Sequence, residues 1–272
     1  MKSSKEKHIL FCNCRGERID PGLLTGIDSF LKMLPARTYK ITDLCGTLRE
    51  KNEQIQNLFK NGSEYLVLGC YKRSMDLLLD QASGPADYEH INLIETEKEE
   101  ALRTIREFWN ESQAEGSQSE SSYEEISQDS DWQAWYPVID YSRCTSCGQC
   151  ADFCLFGVYE KTGDSVKVVN PENCKNNCPA CARICPATAI IFPKYKHGGA
   201  IGGSEDIDEQ AELKRQAQDV EEFLGNDIYA AIEKRKAKRQ SIIRLEAMNK
   251  AIAERETALK ETANKNSTDV II

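Results

Sequence analysis

The spacing of cysteines between positions 144 and 185 constrains this chain more than any other feature of its sequence. Cys144-x2-Cys147-x2-Cys150-x3-Cys154 is followed by Cys174-x3-Cys178-x2-Cys181-x3-Cys185-Pro186. A 4Fe-4S cube needs four thiolates, and a compact C-x2-C-x2-C turn lets three converge while the fourth arrives from elsewhere. In two-cluster arrangements the fourth cysteine of each run serves the other cluster. The spacing therefore assigns Cys144, Cys147, Cys150 and Cys185 to one cluster, and Cys174, Cys178, Cys181 and Cys154 to a second. Structural zinc also uses C-x2-C pairs, but it draws on two separated pairs, whereas here four cysteines crowd into each run. Disulfides compete less well. The start of the chain lacks a secretory apolar run and no eighteen-residue apolar stretch occurs, so a cytoplasmic protein without a membrane span is expected.

The two runs also repeat: LFGVYE follows the first and ATAIIFP the second. Over about residues 134 to 193 the chain resembles the bacterial-type dicluster ferredoxin domain, whose pseudo-twofold pair of short hairpins and helices is the α+β fold the resemblance implies. Two departures stand out. Lys175, Asn176 and Asn177 make an x3 gap where x2 is usual, which should loosen one ligand loop, and Leu155 replaces the proline expected after Cys154.

Upstream, short apolar runs at 8–12, 39–42, 65–70 and 90–95 read as strands, and 21–34, 46–62, 73–82 and 96–110 carry helical spacing. Such alternation predicts an α/β domain over 1–110 with a parallel sheet covered by helices. The remaining cysteines, Cys12, Cys14, Cys45 and Cys70, fall at or just past the carboxyl ends of the first three strands. With strand order 2-1-3 those ends open on one crevice, where four sulfurs could converge. Three uses are open: a third iron-sulfur cluster, zinc, or metal-free thiols. For the last, Cys70 precedes a helix whose dipole should lower its pKa.

FCNCRGERI, TDLCGTL and LVLGCYKRSMDLLL together resemble the amino-terminal domain of the flavin-binding subunit of heterodisulfide reductase, with Arg15 in place of a glycine and Tyr71-Lys72 in place of Ser-Pro. The resemblance implies a module coupling electron carriers, with heterodisulfide-reductase-like or flavoprotein subunits as partners. No G-x-G-x-x-G follows, so a complete flavoenzyme is not expected.

Between these regions, 111–131 carries seven acidic residues and no basic one, and reads as a flexible linker. The aromatic residues Trp132, Trp135 and Tyr136 are expected to pack over the clusters and exclude water. Residues 194–204 read as a glycine-rich connector without a phosphate-loop context. A helical tail over 205–272 runs from an acidic stretch into a basic one at 234–244. A net charge of -9 excludes a broad nucleic-acid footprint. His8, His90 and His197 are too scattered for a metal site or a triad. The expected activity is single-electron transfer, within an oxidoreductase complex rather than as an enzyme alone. The alternative is a thiol-disulfide oxidoreductase component using Cys70 or the Cys12/Cys14 pair.

Overall fold

The computed structural model describes residues 6–114 and 121–215, apart from positions 61, 83, 85 and 86. Four predicted strands form: β1 (Lys7–Asn13), β2 (Arg37–Thr42), β3 (Glu64–Gly69) and β4 (Glu89–Asn92). Helix α1 (Pro21–Met33) links the first pair; α2 (Leu44–Glu50) and α3 (Asn52–Leu58) lead to β3, and α4 (Lys72–Gln81) leads to β4. The α1 start is well specified: the Asp20 carboxylate accepts from Leu23 N at 2.7 Å, and Pro21 holds the first helical position. The single helix expected over 46–62 is instead two, broken at Lys51.

Every pairing in the sheet is parallel, in the order β4-β3-β1-β2-β5. Central β1 is buried on both faces, which divides the interior into two cores. Leu10, Ile41 and Val67 meet α2, α3 and α4, with Met75 and Leu78 among them; Ile9, Phe11, Leu66 and Leu68 meet α1 and the closing helix α5 (Lys98–Ala114), with Ile27 and Ile105 among them. Each such side chain contributes about 1.5–3 kcal/mol by leaving water.

The acidic segment departs from its expected role. Strand β5 (Ser122–Ser127) extends the sheet beside β2, with Ile126 opposite Ile41 and almost fully buried. An edge strand turns one face to solvent, so ladder hydrogen bonds and one inward isoleucine suffice among glutamates. Over 122–127 the flexible-linker expectation is therefore corrected, while residues 115–120 lie outside the described set.

Beyond β5 the eight-cysteine region is built from two small antiparallel pairs. β6 (Val138–Ile139) pairs with β9 (Ile190–Ile191), and β7 (Tyr159–Thr162) with β8 (Ser165–Val168). Short helices α6 (Gln149–Phe153) and α7 (Ala180–Arg183) each carry the third cysteine of a run. The chain through Gln216 is one compact unit, so sheet module and cysteine-rich module share a body. Their join is polar and buried. Arg73 of α4 donates from Nε to Asp140 Oδ2 at 3.0 Å, from Nη2 to Thr188 O at 3.1 Å and from Nη1 to Ala200 O at 3.3 Å. The expected connector is instead a packed strap: Ser74 Oγ donates to Gly202 O at 3.1 Å, and Gly203 adopts φ +90°, where a side chain would also strike Ser74. Of the expected helical tail, residues 209–215 are helical and the remainder lies outside the described residues. Among the described residues no helix is long and apolar enough to cross a membrane.

Candidate metal centres

The two ligand loops share a backbone device that spacing alone did not show. Ser146 and Asn177, each immediately before the second cysteine of its run, both sit in the left-handed region, with φ 55° and 60°. The repeat is thus in register from the second cysteine onward, and the extra residue of the second run is absorbed before Asn177, a residue type that tolerates this conformation. In the first run Cys154 N donates to Cys150 O at 3.0 Å and closes α6, so the fourth cysteine leaves the helix in extended conformation.

Cys144, Cys147, Cys150 and Cys185 line one cavity with about 350 Å³ of empty space, walled by Ile139, Val166, Ala189 and Ile190. No charged side chain lines it. Burial foremost, then the neighbouring Cys185, Cys147 and Cys144 sulfurs, push the Cys150 thiol up to about 11. In the second foursome two thiols are raised as well. Burial and the neighbouring Cys178 and Cys154 raise Cys174 to about 12, and burial, with Cys174 and Cys154 adding to it, raises Cys181. Tyr159 Oη donates to Cys181 Sγ at 3.0 Å, the kind of sulfur hydrogen bond that tunes a cluster's potential. Exposure differs among the eight: Cys147 is exposed, while Cys150, Cys181 and Cys185 are buried.

The four front cysteines also come together. Cys12, Cys45 and Cys70 are buried and Cys14 is half-buried. Burial foremost raises Cys12, Cys45 and Cys70; after it Cys12 feels Cys14, Cys70 and Cys45, Cys45 feels Asp43 and Lys194 ahead of Cys14 and Cys70, and Cys70 feels Cys14. The depressed Cys70 pKa expected from its helix is corrected: burial, followed by the Cys14 charge, raises it to about 12 and overrides the opposing hydrogen bond from Ser74. Thiols raised this far stay protonated at neutral pH, whereas a coordinated metal deprotonates its thiol outright.

Around these sulfurs lie charges that the sequence did not single out. Lys194 Nζ meets Asp43 Oδ2 at 2.5 Å, with side-chain exposures of 11% and 1%. Gly16 N donates to Cys14 Sγ at 3.2 Å. Two buried donors, Arg18 Nη1 and Trp135 Nε1, have no hydrogen-bond partner. Trp135 lines a second cavity, of about 190 Å³, with Cys45, Tyr136, Phe192 and Lys194. Anionic thiolate-bound clusters are what unpaired donors of this kind fit. Among the described residues no three His, Cys, Asp or Glu side chains are gathered for a single metal ion. A cube spreads its ligands over separate iron corners, so its thiolates stand further apart than those around one zinc.

Of the aromatics expected to cover the clusters, Trp135 stacks on Phe192 at 5.0 Å between ring centres, Trp132 stacks on Tyr136 at 5.8 Å, and buried Tyr136 donates to Cys45 O at 2.9 Å. His8 packs edge-on to Tyr39 and Tyr65 with Glu6 at 3.3 Å, and His90 Nε2 contacts Cys70 O; among the described residues neither belongs to a group of three metal-binding side chains.

This architecture defines an iron-sulfur protein of the dicluster type, and comparison with known proteins agrees. The 4Fe-4S dicluster domain matches residues 136–220. An uncharacterised ferredoxin of Methanocaldococcus jannaschii is 33% identical over 149 residues, spanning 54% of this chain and 96% of that protein. A second uncharacterised ferredoxin of the same organism is 39% identical over 55 residues, covering 20% of this chain and 87% of that protein. The pyruvate synthase subunit PorD of Methanothermobacter marburgensis is 31% identical over 65 residues, 24% of this chain and 74% of that subunit. The chain belongs to the ferredoxin family, as an iron-sulfur electron carrier whose dicluster domain holds two [4Fe-4S] clusters. The 149-residue match is longer than the dicluster domain, so the likeness takes in part of the chain outside 136–220.

Proposed function

We propose that this protein is a three-centre electron-transfer subunit, passing single electrons between redox partners through two ferredoxin clusters and a third cluster in the sheet module. Cluster 1 is held by Cys144, Cys147, Cys150 and Cys185, cluster 2 by Cys174, Cys178, Cys181 and Cys154, and the third by Cys12, Cys14, Cys45 and Cys70. The observation that carries this reading is geometric: Cys144, Cys147, Cys150 and Cys185 line one cavity, and Cys12, Cys45 and Cys70 are buried with half-buried Cys14 where the first three parallel strands end. When bound, each cluster supplies a one-electron couple with little rearrangement. The protein's part is to exclude water with Trp135 and Phe192, to offer donors to sulfur through Tyr159 and Gly16, and to expose one edge at Cys147.

The partners are protein subunits of an oxidoreductase complex. The match to a pyruvate synthase subunit supports this, as does the resemblance of the front segment to the heterodisulfide reductase domain, which favours flavoprotein neighbours. A thiol-disulfide role for Cys70 or Cys12/Cys14 is the weaker reading, because burial keeps these thiols protonated and poorly nucleophilic.

Iron and acid-labile sulfide per chain, measured on anaerobically purified protein and on Cys70→Ala, test the proposal. About twelve irons falling to about eight in the variant support the third centre. About eight in both confine iron to the dicluster domain, and rapid alkylation of the front cysteines would then favour thiol chemistry.

A further inference from the structure

The front centre has a buried ion pair beside its sulfurs, and one partner comes from outside the sheet module. Lys194 does not belong to the sheet module; it follows β9 and opens the strap that crosses the join. Its stem passes over Gly16, where an added Cβ would lie 3.2 Å from Cys14 Sγ and 3.3 Å from Lys194 Cγ. The same side chain lines the small cavity with Cys45. Lys194 therefore stands between two of the four sulfurs, paired with buried Asp43. A second cation is close by: the Arg18 guanidinium lies 4.4 Å over the Tyr71 ring and against Gly198 and Gly202, and its charge acts on Cys14 and Cys70.

The first ferredoxin foursome has a buried pair of its own nearby, Arg73 with Asp140, whose carbonyl accepts from Cys144 N at 2.9 Å. No charged side chain lines the Cys144–Cys185 cavity, and the groups that act on Cys174 and Cys181 are other cysteines and Tyr159. Four cations lie on or beside the loops: Lys161, Arg143, exposed Lys175 next to Cys174, and half-buried Arg183, whose Nη2 donates to Tyr195 Oη at 3.4 Å. Lys161 Nζ donates to Cys147 O at 3.2 Å but is exposed, and Arg143 donates to Ala187 O while pairing with Glu209. Solvent and the acidic partner screen both.

We infer that Lys194 is the positioning cation of the front centre, and that by offsetting buried Asp43 it holds that centre's potential above the value Asp43 alone would set. The inference rests on the proposal that Cys12, Cys14, Cys45 and Cys70 hold a cluster. Reduction adds one electron from an external one-electron donor, taking a cube with its four thiolates from about -2 to about -3. A buried positive charge stabilises the reduced form more than the oxidised one, because Coulomb energy scales with the charge it faces and is little screened inside protein. Asp43 opposes Lys194 and is the stronger of the two at Cys14 and Cys45, while Arg18 adds positive charge at Cys14 and Cys70.

The test is a stepwise reductive titration of the anaerobic holoprotein with dithionite, read by low-temperature EPR, with Cys70→Ala identifying the front-centre signal. Lys194→Met should move the partition at least tenfold toward the ferredoxin signals, equal to about 59 mV for a one-electron couple. Asp43→Asn should move it as far the other way, the double variant should return close to wild type, and Lys194→Arg should match wild type. Shifts of opposite sign that cancel are the mark of charge, since lost packing would push both single variants in one direction. If Lys194→Met does not fold, Asp43→Asn alone carries the test through its sign. An unmoved partition, or equal signs, in protein holding about twelve irons overturns the assignment of Lys194 alone. About eight irons in the wild type overturns the three-cluster reading, and this inference with it.

Discussion

Removing the Tyr159 hydroxyl isolates one hydrogen bond to one sulfur. Tyr159 on β7 is half-buried overall, and its hydroxyl donates to Cys181 Sγ at 3.0 Å. Burial, followed by the Cys181 charge beside it, pushes its pKa well above the ordinary phenol value, so it remains a donor throughout the working pH range. A hydrogen bond to a charged acceptor is worth about 1.5–3 kcal/mol, and it strengthens when the acceptor gains negative charge. If reduction raises its strength by about 1 kcal/mol, its loss lowers the potential of cluster 2 by about 40 mV, given 59 mV per tenfold for one electron. Tyr159→Phe keeps the ring and its packing, so an EPR-monitored redox titration should show one ferredoxin signal displaced to more negative potential and the other unmoved. Equal displacement of both signals, or a positive shift, would refute the reasoning, because either outcome means the hydroxyl acts through general solvation rather than on Cys181.

Three further outcomes follow from the join between modules. Arg73→Leu leaves Asp140 buried and unpaired beside the backbone that carries Cys144, so thermal unfolding should show a loss of about 3–5 kcal/mol. Burial alone would raise the Asp140 carboxyl, but Ser142 and Arg73 outweigh it and hold the pKa below the usual range. The pair's stabilisation is thus fully present above the unfolded carboxylate pKa, about 3.9, and is lost as pH falls through the lower folded value. The stability gap between wild type and Asp140→Asn should narrow on acidification below about pH 4, and a gap that widens would contradict this sign. Gly203→Ala, at φ +90° and against Ser74, should cost about 1–3 kcal/mol and loosen the strap, detectable as faster amide exchange over 198–204.

What is legible in the sequence is whatever a short-range rule enforces. Cubane ligation needs four sulfurs from a tight turn and a distant partner, so C-x2-C-x2-C-x3-C leads directly to the grouping of Cys185 with the first run. Period-two and period-3.6 patterns likewise place β1 to β4 within a few residues, and the crossing rule for parallel strands brings Cys12, Cys45 and Cys70 to one end of the sheet. β5 is hidden because its pairing energy lies in backbone hydrogen bonds, which leave no trace in side-chain chemistry beyond Ile126. The break at Lys51 is hidden because a single non-helical residue can join two short helices without proline or glycine.

The charged pairs are hidden for a different reason, and that reason bears on mechanism. Lys194 and Asp43 are 151 residues apart, and Arg73 and Asp140 are 67 apart; each looks like surface charge in a chain that is 29% charged. They are found only once both modules are folded against each other, because each half of a pair comes from a different module. A buried ion pair with both partners in one module would orient that module alone; pairs split across the join orient each module relative to the other. Electron transfer between centres depends on that relation more than on either module's internal stability. The strap from Lys194 to Gly203 therefore does more than connect: it fixes the ferredoxin clusters against the four front sulfurs, and it brings to those sulfurs a cation that the front module does not itself contain.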